Sequence, residues 1–361
     1  MEAGSVCPEA RAWLAAAVQQ GASDLHLVVG SPPTLRLHDA LVPLEEQPLG
    51  HETVFRALKS LCSAEDFARF LATKNLDFAF QLEFFGCLRR FRANYFFSGE
   101  SVGACLRVIP HEIPTFQWAG FPRELAERLV DTRDGLILVC GVTGSGKTTT
   151  LAMLIHLLAQ RGGYRIITIE EPIEYLFASG GTSIITQREV GRDVDSFADG
   201  LKYGLRQDPD VFLVGEIRDR ETGQLVLSAA ETGHLVLSTL HSRDAKGAIS
   251  RFADLFPQAV QSEIRAQLAL GLRAVVCQHL LPSVQRGAKR ELALEVLFNN
   301  SAVAAAIRSG RIEQVDNHIQ TGKAEGMITL NESVKRLWRD GRISWQTAIK
   351  YMSDAAQLKS S

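Results

Sequence analysis

Residues 141–148 read GVTGSGKT, a match to G-x-x-x-x-G-K-[ST], set between the apolar run LILVC and a helix-like stretch beginning TTTLAMLIHLLAQ. The chemistry this implies is phosphate binding. Glycines let successive backbone N–H groups turn inward at a helix N-terminus, the lysine brings a point charge to the terminal phosphates, and the next hydroxyl can ligate Mg²⁺. The candidate nucleotide contacts are Gly141, Thr143, Gly144, Ser145, Gly146, Lys147, Thr148 and Thr149, with Thr148 also a candidate Mg²⁺ ligand.

Phosphoryl transfer needs a held metal and an oriented water as well. Open α/β sheets present such groups beyond the carboxyl ends of their strands. Two acidic positions fit. Glu216 ends DPDVFLVGE, from where a carboxylate can reach Mg²⁺ or its waters, and Glu170 and Glu171 follow RIITI and are stopped by Pro172. The stretch ETGHLVLSTLH carries His234 and His241 seven positions apart. On a strand they face opposite sides about 23 Å apart, so they cannot share a metal. Glu231 to Gly233 reads as a turn, which puts His241 at the carboxyl end, where it can donate to a terminal phosphate. His234 falls at the strand's start, anchoring its base or meeting a neighbouring subunit; it is kept among the candidate nucleotide contacts.

The elements that must position these groups are legible as a pattern. GLILVCG, RIITIE, DVFLVGE and HLVLSTL are short apolar runs separated by helix-length segments, which predicts a parallel sheet covered by helices. Beyond about residue 260 the chain reads as helical, with Leu330, Val334, Leu337 and Trp338 on one stripe. Upstream, NLDFAFQLEFF, LRRFRANYFF and VGACLRVI alternate in strand fashion, with a Gly-containing turn at Ser98 to Ser101. PHEIPTFQWAGFP, from Pro110 to Pro122, reads as an extended connector because proline disfavours helix at and before itself. The fold class is α/β, with an α+β domain over 1–112, a linker over 113–122 and an α/β domain over 123–361.

At 361 residues two cores are expected rather than one. A formal net charge of −2 gives no global field to hold nucleic acid, and no basic tract with interleaved aromatics is present. The cysteines Cys7, Cys62, Cys87, Cys105, Cys140 and Cys277 form no C-x-x-C pair. Neither a zinc site nor a disulfide framework is suggested, and a reducing cytoplasm fits. MEAGSVCPEARAW has no basic region followed by an apolar core, so no leader is expected.

Taken together, GVTGSGKTTT, TIEEPIEY, DPDVFLVGEIRD and ETGHLVLSTLH resemble, in order, the Walker A, Asp, Walker B and His boxes of the type II secretion and type IV pilus ATPases. QREVGRD and IQTG are similar to further family stretches, and the likeness runs from GASDLHL at residue 21 to about residue 350. It is greatest to the retraction branch that drives twitching motility. The resemblance implies a PAS-like N-terminal domain and a RecA-like ATPase domain, a homohexamer, and ATP with Mg²⁺ held between domains. It also implies a cytoplasmic location, peripheral to the inner membrane at the pilus base. The implied partners are the inner-membrane platform protein and a paralogous pilus ATPase.

By resemblance Glu170 polarises the attacking water, Glu216 serves Mg²⁺, directly or through water, and His241 senses the γ-phosphate. Arg90, Arg92 and Arg107 match arginines that approach ATP, some from the adjacent chain, and Arg90 and Arg92 share a strand face by the period of two. The chain departs from the family in three places. Glu171 replaces the usual Asp, SGES lacks a basic residue, and AVAAAIRS at 302–309 puts Ala304, Ala305 and Ser309 where the retraction-linked element has Arg, Asn and Glu. Two other readings therefore stay open: a nucleotide-binding accessory paralogue, and an assembly or secretion ATPase, although the tetracysteine insert common in the latter is absent.

Overall fold

The computed structural model describes residues 6–37, 40–110, 112–177, 181–285 and 289–352. Residues 1–5 of the stretch read as carrying no leader, and His111 of the connector, lie outside them. By contacts the chain forms two units, Met1–Glu112 with Glu174–Leu176, and Ile113–Ile173 with Phe177–Ser361. No helix among the described residues is long and apolar enough to cross a membrane.

The first unit holds a six-stranded antiparallel sheet of β1 (Asp24–Val28), β2 (Thr34–Leu37), β3 (Ala40–Pro43), β4 (Asn75–Phe84), β5 (Cys87–Ser98) and β6 (Ser101–Ile109). Its order is β3-β2-β1-β6-β5-β4. β4 and β5 are joined through Phe85 and Gly86, both at positive φ (56° and 74°), the two-residue turn whose twist matches antiparallel strands. Alternation along β4 and β5 buries Leu76, Phe80, Phe91 and Tyr95. These join Trp13, Leu14, Leu58 and Phe70, from helices Pro8–Gln19, His51–Ser60 and Ala64–Thr73, in one core. The buried Tyr95 hydroxyl donates to the Leu58 carbonyl at 3.0 Å.

The second unit holds a seven-stranded sheet of β7 (Gly135–Cys140), β8 (Arg165–Glu170), β9 (Ile184–Glu189), β10 (Val211–Val214), β11 (Leu235–Leu240), β12 (Leu272–Leu281) and β13 (Glu291–Phe298). The order is β13-β12-β7-β11-β10-β8-β9. Only the β12–β13 pair is antiparallel. Every residue of β7, β10 and β11 is buried, as expected of central parallel strands covered on both faces. The carboxyl ends of β7, β8, β10 and β11 therefore fall along one edge. The root of the loop that follows β7 is thiol-lined: Cys140 of β7 lies opposite Cys277 of β12, both fully buried.

Two expectations are corrected. The chain after residue 260 is not helical throughout, since β12 and β13 complete the sheet there. The β12 run LRAVVCQHLL follows helix Gln261–Gly271 with no intervening loop, so its apolar residues read as a continuation of the helix until the β-branched Val275 and Val276 are paired with β7. The connector is not extended throughout either. Thr115 caps a single turn, Phe116–Ala119, by accepting from the Trp118 N–H at 3.1 Å, and Phe116 and Phe121 pack into the core of the second unit.

Candidate functional site

The phosphate loop leaves β7 at Gly141 and enters helix Lys147–Arg161 at Gly146, whose φ of +87° makes a left-handed N-cap that a Cβ would strain. Gly141 is constrained by space. A Cβ there would stand 2.3 Å from Ser145 Oγ and 2.7 Å from the Gln278 carbonyl. The loop is closed by its own lysine. Lys147 Nζ donates to the carbonyls of Gly141 (2.9 Å) and Val142 (3.2 Å), and stands 3.5 Å from His241 Nδ1. Thr148 and Thr149 follow in the first helical turn, while Thr143 lies in the loop between β7 and the helix. Arg290 reaches the loop's apex, its guanidinium 3.3 Å from the Gly144 carbonyl.

From β10 and β11 come the acid and the histidine. Glu216 lies two residues beyond β10, and its Oε1 is 3.0 Å from His241 Nε2, one residue beyond β11. Nε2 must then carry the hydrogen that Glu216 accepts, leaving the Nδ1 lone pair toward Lys147. Burial and the Lys147 ammonium hold the His241 imidazole below its ordinary range, against the opposing pull of Glu216. The neutral form of the ring is thereby favoured.

Glu170 ends β8 and is buried, its Oε1 accepting from Thr168 Oγ1 (2.7 Å) and Gln187 Nε2 (3.2 Å). Those two donors fix the carboxylate's direction. Arg218 ties the acids together, donating to Glu216 Oε2 at 2.9 Å and to Glu171 Oε2 at 2.5 Å. A chain of contacts thus runs Glu171–Arg218–Glu216–His241–Lys147 along the carboxyl edge of the sheet. Arg218 was detectable in principle, as a cation two residues past a strand-end acid; Gln187 and Arg290 carry no local signal.

His234 does not join this cluster. It precedes β11 at the amino edge, about 20 Å of strand away from the loop, where Nδ1 lies 3.0 Å from the Ala229 carbonyl and 3.1 Å from Thr232 Oγ1 and the ring packs on Phe212. Within this chain its contacts are to the end of the preceding helix and to Phe212, not to the phosphate loop. Arg90, Arg92 and Arg107 lie in the first unit. Arg92 and Arg107 are directly opposed on β5 and β6, and Arg90 is two residues along the same face. Arg107 is held by Asp24 at 2.9 Å, Arg92 stands 3.9 Å from Asp77, and Arg90 is buried.

No group of three or more His, Cys, Asp or Glu side chains that could hold a metal occurs among the described residues. The hydroxyl of Thr148 and the carboxylate of Glu216 are hard oxygen donors, a set that suits Mg²⁺ when phosphate and water supply the other ligands.

A parallel sheet with a phosphate loop, flanking acids and a histidine along one edge defines a nucleotide-phosphate-binding protein of mixed α/β class. The chain belongs to the type II/IV secretion system protein family, whose model matches residues 97–359. It is 41% identical over 330 residues to the uncharacterized protein YggR of Escherichia coli, covering 91% of this chain and 98% of that one. It is 39% identical to the type IV pilus retractation ATPase PilT of Pseudomonas aeruginosa, covering 93% and 95%. A crystal structure of the pilus retraction motor PilT with bound ADP superposes with a TM-score of 0.84 at 40% identity, covering 96% and 97%.

Proposed function

We propose that this chain is an Mg²⁺-dependent ATPase working as a hexameric motor in type IV pilus retraction, with a PAS-like first domain and a RecA-like second. The observation that carries the reading is the unbroken contact from Lys147 through His241 to Glu216, with Glu170 buried at the adjacent strand end. Hydrolysis needs a water to attack the γ-phosphorus as the bond to ADP breaks. Lys147 turns from its loop carbonyls to the phosphate oxygens, while Glu170, aimed by Thr168 and Gln187, receives the proton of the attacking water. His241, neutral, donates to the γ-phosphate when it is present and to Glu216 when it is not. Thr148 and Glu216 would hold Mg²⁺, which neutralises charge on the β- and γ-phosphates when bound.

Arg90, Arg92 and Arg107 then supply positive charge toward ATP from the first domain of the same or a neighbouring chain. The 39% identity to PilT over 93% of this chain supports the retraction role, a cytoplasmic location at the pilus base and the inner-membrane platform protein as partner. Phosphate release by the purified protein, with Lys147→Ala and Glu216→Ala as controls, tests the enzymatic part. Turnover that both substitutions suppress is expected; a silent wild type, or variants as active as wild type, would overturn it.

One observation favours a second reading, an accessory paralogue that binds ATP and tunes another motor's ring. In helix Ser301–Arg308 the exposed or half-exposed positions include Ala304 and Ala305, so this face offers methyl groups beside Arg308. Gene deletion in a piliated strain separates the two. Loss of twitching with excess surface pili is expected of the motor, and reduced force or rate alone of the accessory.

A further inference from the structure

Gln278 is the residue of β12 that follows Cys277, and Cys277 lies opposite Cys140, the last residue before the phosphate loop. Gln278 is therefore level with Gly141, and its side chain passes beneath the loop. Its backbone carbonyl is 2.7 Å from where a Gly141 Cβ would stand, and its amide Nε2 is 3.9 Å from where a Gly146 Cβ would stand. The residue is 1% exposed, and its Oε1 has no hydrogen-bond partner. A polar atom of the loop itself shares that condition. Ser145 is 2% exposed, its Oγ has no partner, and it borders the same Gly141 position at 2.3 Å. Buried polar atoms without partners are rare and mark places where an arrangement is incomplete.

The incompleteness has a direction. In this arrangement the loop is held shut by Lys147, which engages the Gly141 and Val142 carbonyls. When the ammonium turns to a phosphate, those carbonyls lose their donor and the loop N–H groups rotate inward, so a new hold on the loop is required from below. We infer that Gln278 is a positioning residue for the phosphate loop. Its Oε1 accepts the Ser145 hydroxyl hydrogen, and its Nε2 supports the loop carbonyls, in the phosphate-bound arrangement only. This rests on the nucleotide reading of the loop.

The test replaces Gln278 with Met, unbranched and of similar length, and with Leu as a second variant should Met fail to fold. Affinity for ADP and for a non-hydrolysable ATP analogue is measured together with melting temperature in the presence and absence of nucleotide. A positioning role predicts nucleotide-free melting equal to or above wild type, because an unpaired buried acceptor has been removed. It also predicts affinity weakened roughly tenfold, the size of one buried hydrogen bond, and a KM raised more than kcat is lowered. Lower nucleotide-free melting with unchanged affinity would mean a packing role and overturn the inference. Lys147→Ala separates the two layers of the argument. If it too leaves affinity untouched, the phosphate-loop reading itself has failed; if it weakens binding while Gln278→Met does not, only this inference has.

Discussion

At the scale of single residues, the groups along the sheet edge differ in what they should affect. Glu170 is buried at the end of β8 and aimed by Thr168 and Gln187, which donate to its Oε1. Its contribution should lie in the chemical step. Glu170→Gln keeps size and hydrogen-bonding capacity, so nucleotide affinity should hold while kcat falls by about 10²–10⁴, the range for a lost general base. Phosphate release and equilibrium nucleotide binding measured together decide this, and a loss below about tenfold would move the proton-accepting role elsewhere. Much of this layer was readable without coordinates. Lys147 is legible from its glycine-rich motif and Glu170, Glu216 and His241 from residue type at a strand end, and three of the four touch in series. Gln278 was not readable. It comes more than a hundred residues after the loop it underlies, and only the β7–β12 pairing makes them neighbours.

At the scale of elements, the continuous apolar runs of β7, β8, β10 and β11 were legible because strands buried on both faces leave no polar alternation to obscure them. β12 was not, since an apolar segment joined directly to a helix has no punctuation. β13 carries a largely buried carboxyl group. Glu295 of β13 accepts from the Ala245 N–H at 2.8 Å, at the start of helix Ala245–Asp254, whose N-cap is itself an acid, Asp244. Burial, reinforced by Asp244 and Asp316, pushes the Glu295 carboxyl up from 4.5 to about 7. The folded state thus keeps a proton that the unfolded chain releases. Stability that Glu295 contributes below pH 4.5 is lost as pH rises through about 7. Glu295→Gln keeps the acceptor and removes the titration. It should match wild type near pH 4.5 and exceed it on the order of 2 kcal/mol at pH 8, by denaturant unfolding at both. A variant equally destabilised at both pH values would show that the carboxylate is not the source.

At the scale of the whole molecule, the arginine row of the first unit gathers Arg90, Arg92 and Arg107 on one face of the sheet. Arg92 and Arg107 face each other directly, an unfavourable pairing of like charges, with Asp24 beside Arg107 and Asp77 near Arg92 as counter-ions. A ring in which such arginines meet ATP gives that charge a use. Specific ATPase activity should therefore rise with protein concentration in step with the mass found by light scattering, and fall in Arg92→Ala and Arg107→Ala. Constant specific activity at monomer mass would sink the hexameric reading. The paired thiols at the root of the loop have a different consequence, one of timing. Cys140 and Cys277 are fully buried where β7 meets β12, whereas Cys7, Cys87 and Cys105 are partly exposed. An alkylating reagent will mark the latter at once and the former only when the centre of the sheet parts. Their labelling rate is thus a built-in clock for how often the nucleotide-holding edge comes undone, and for how far a bound nucleotide slows it.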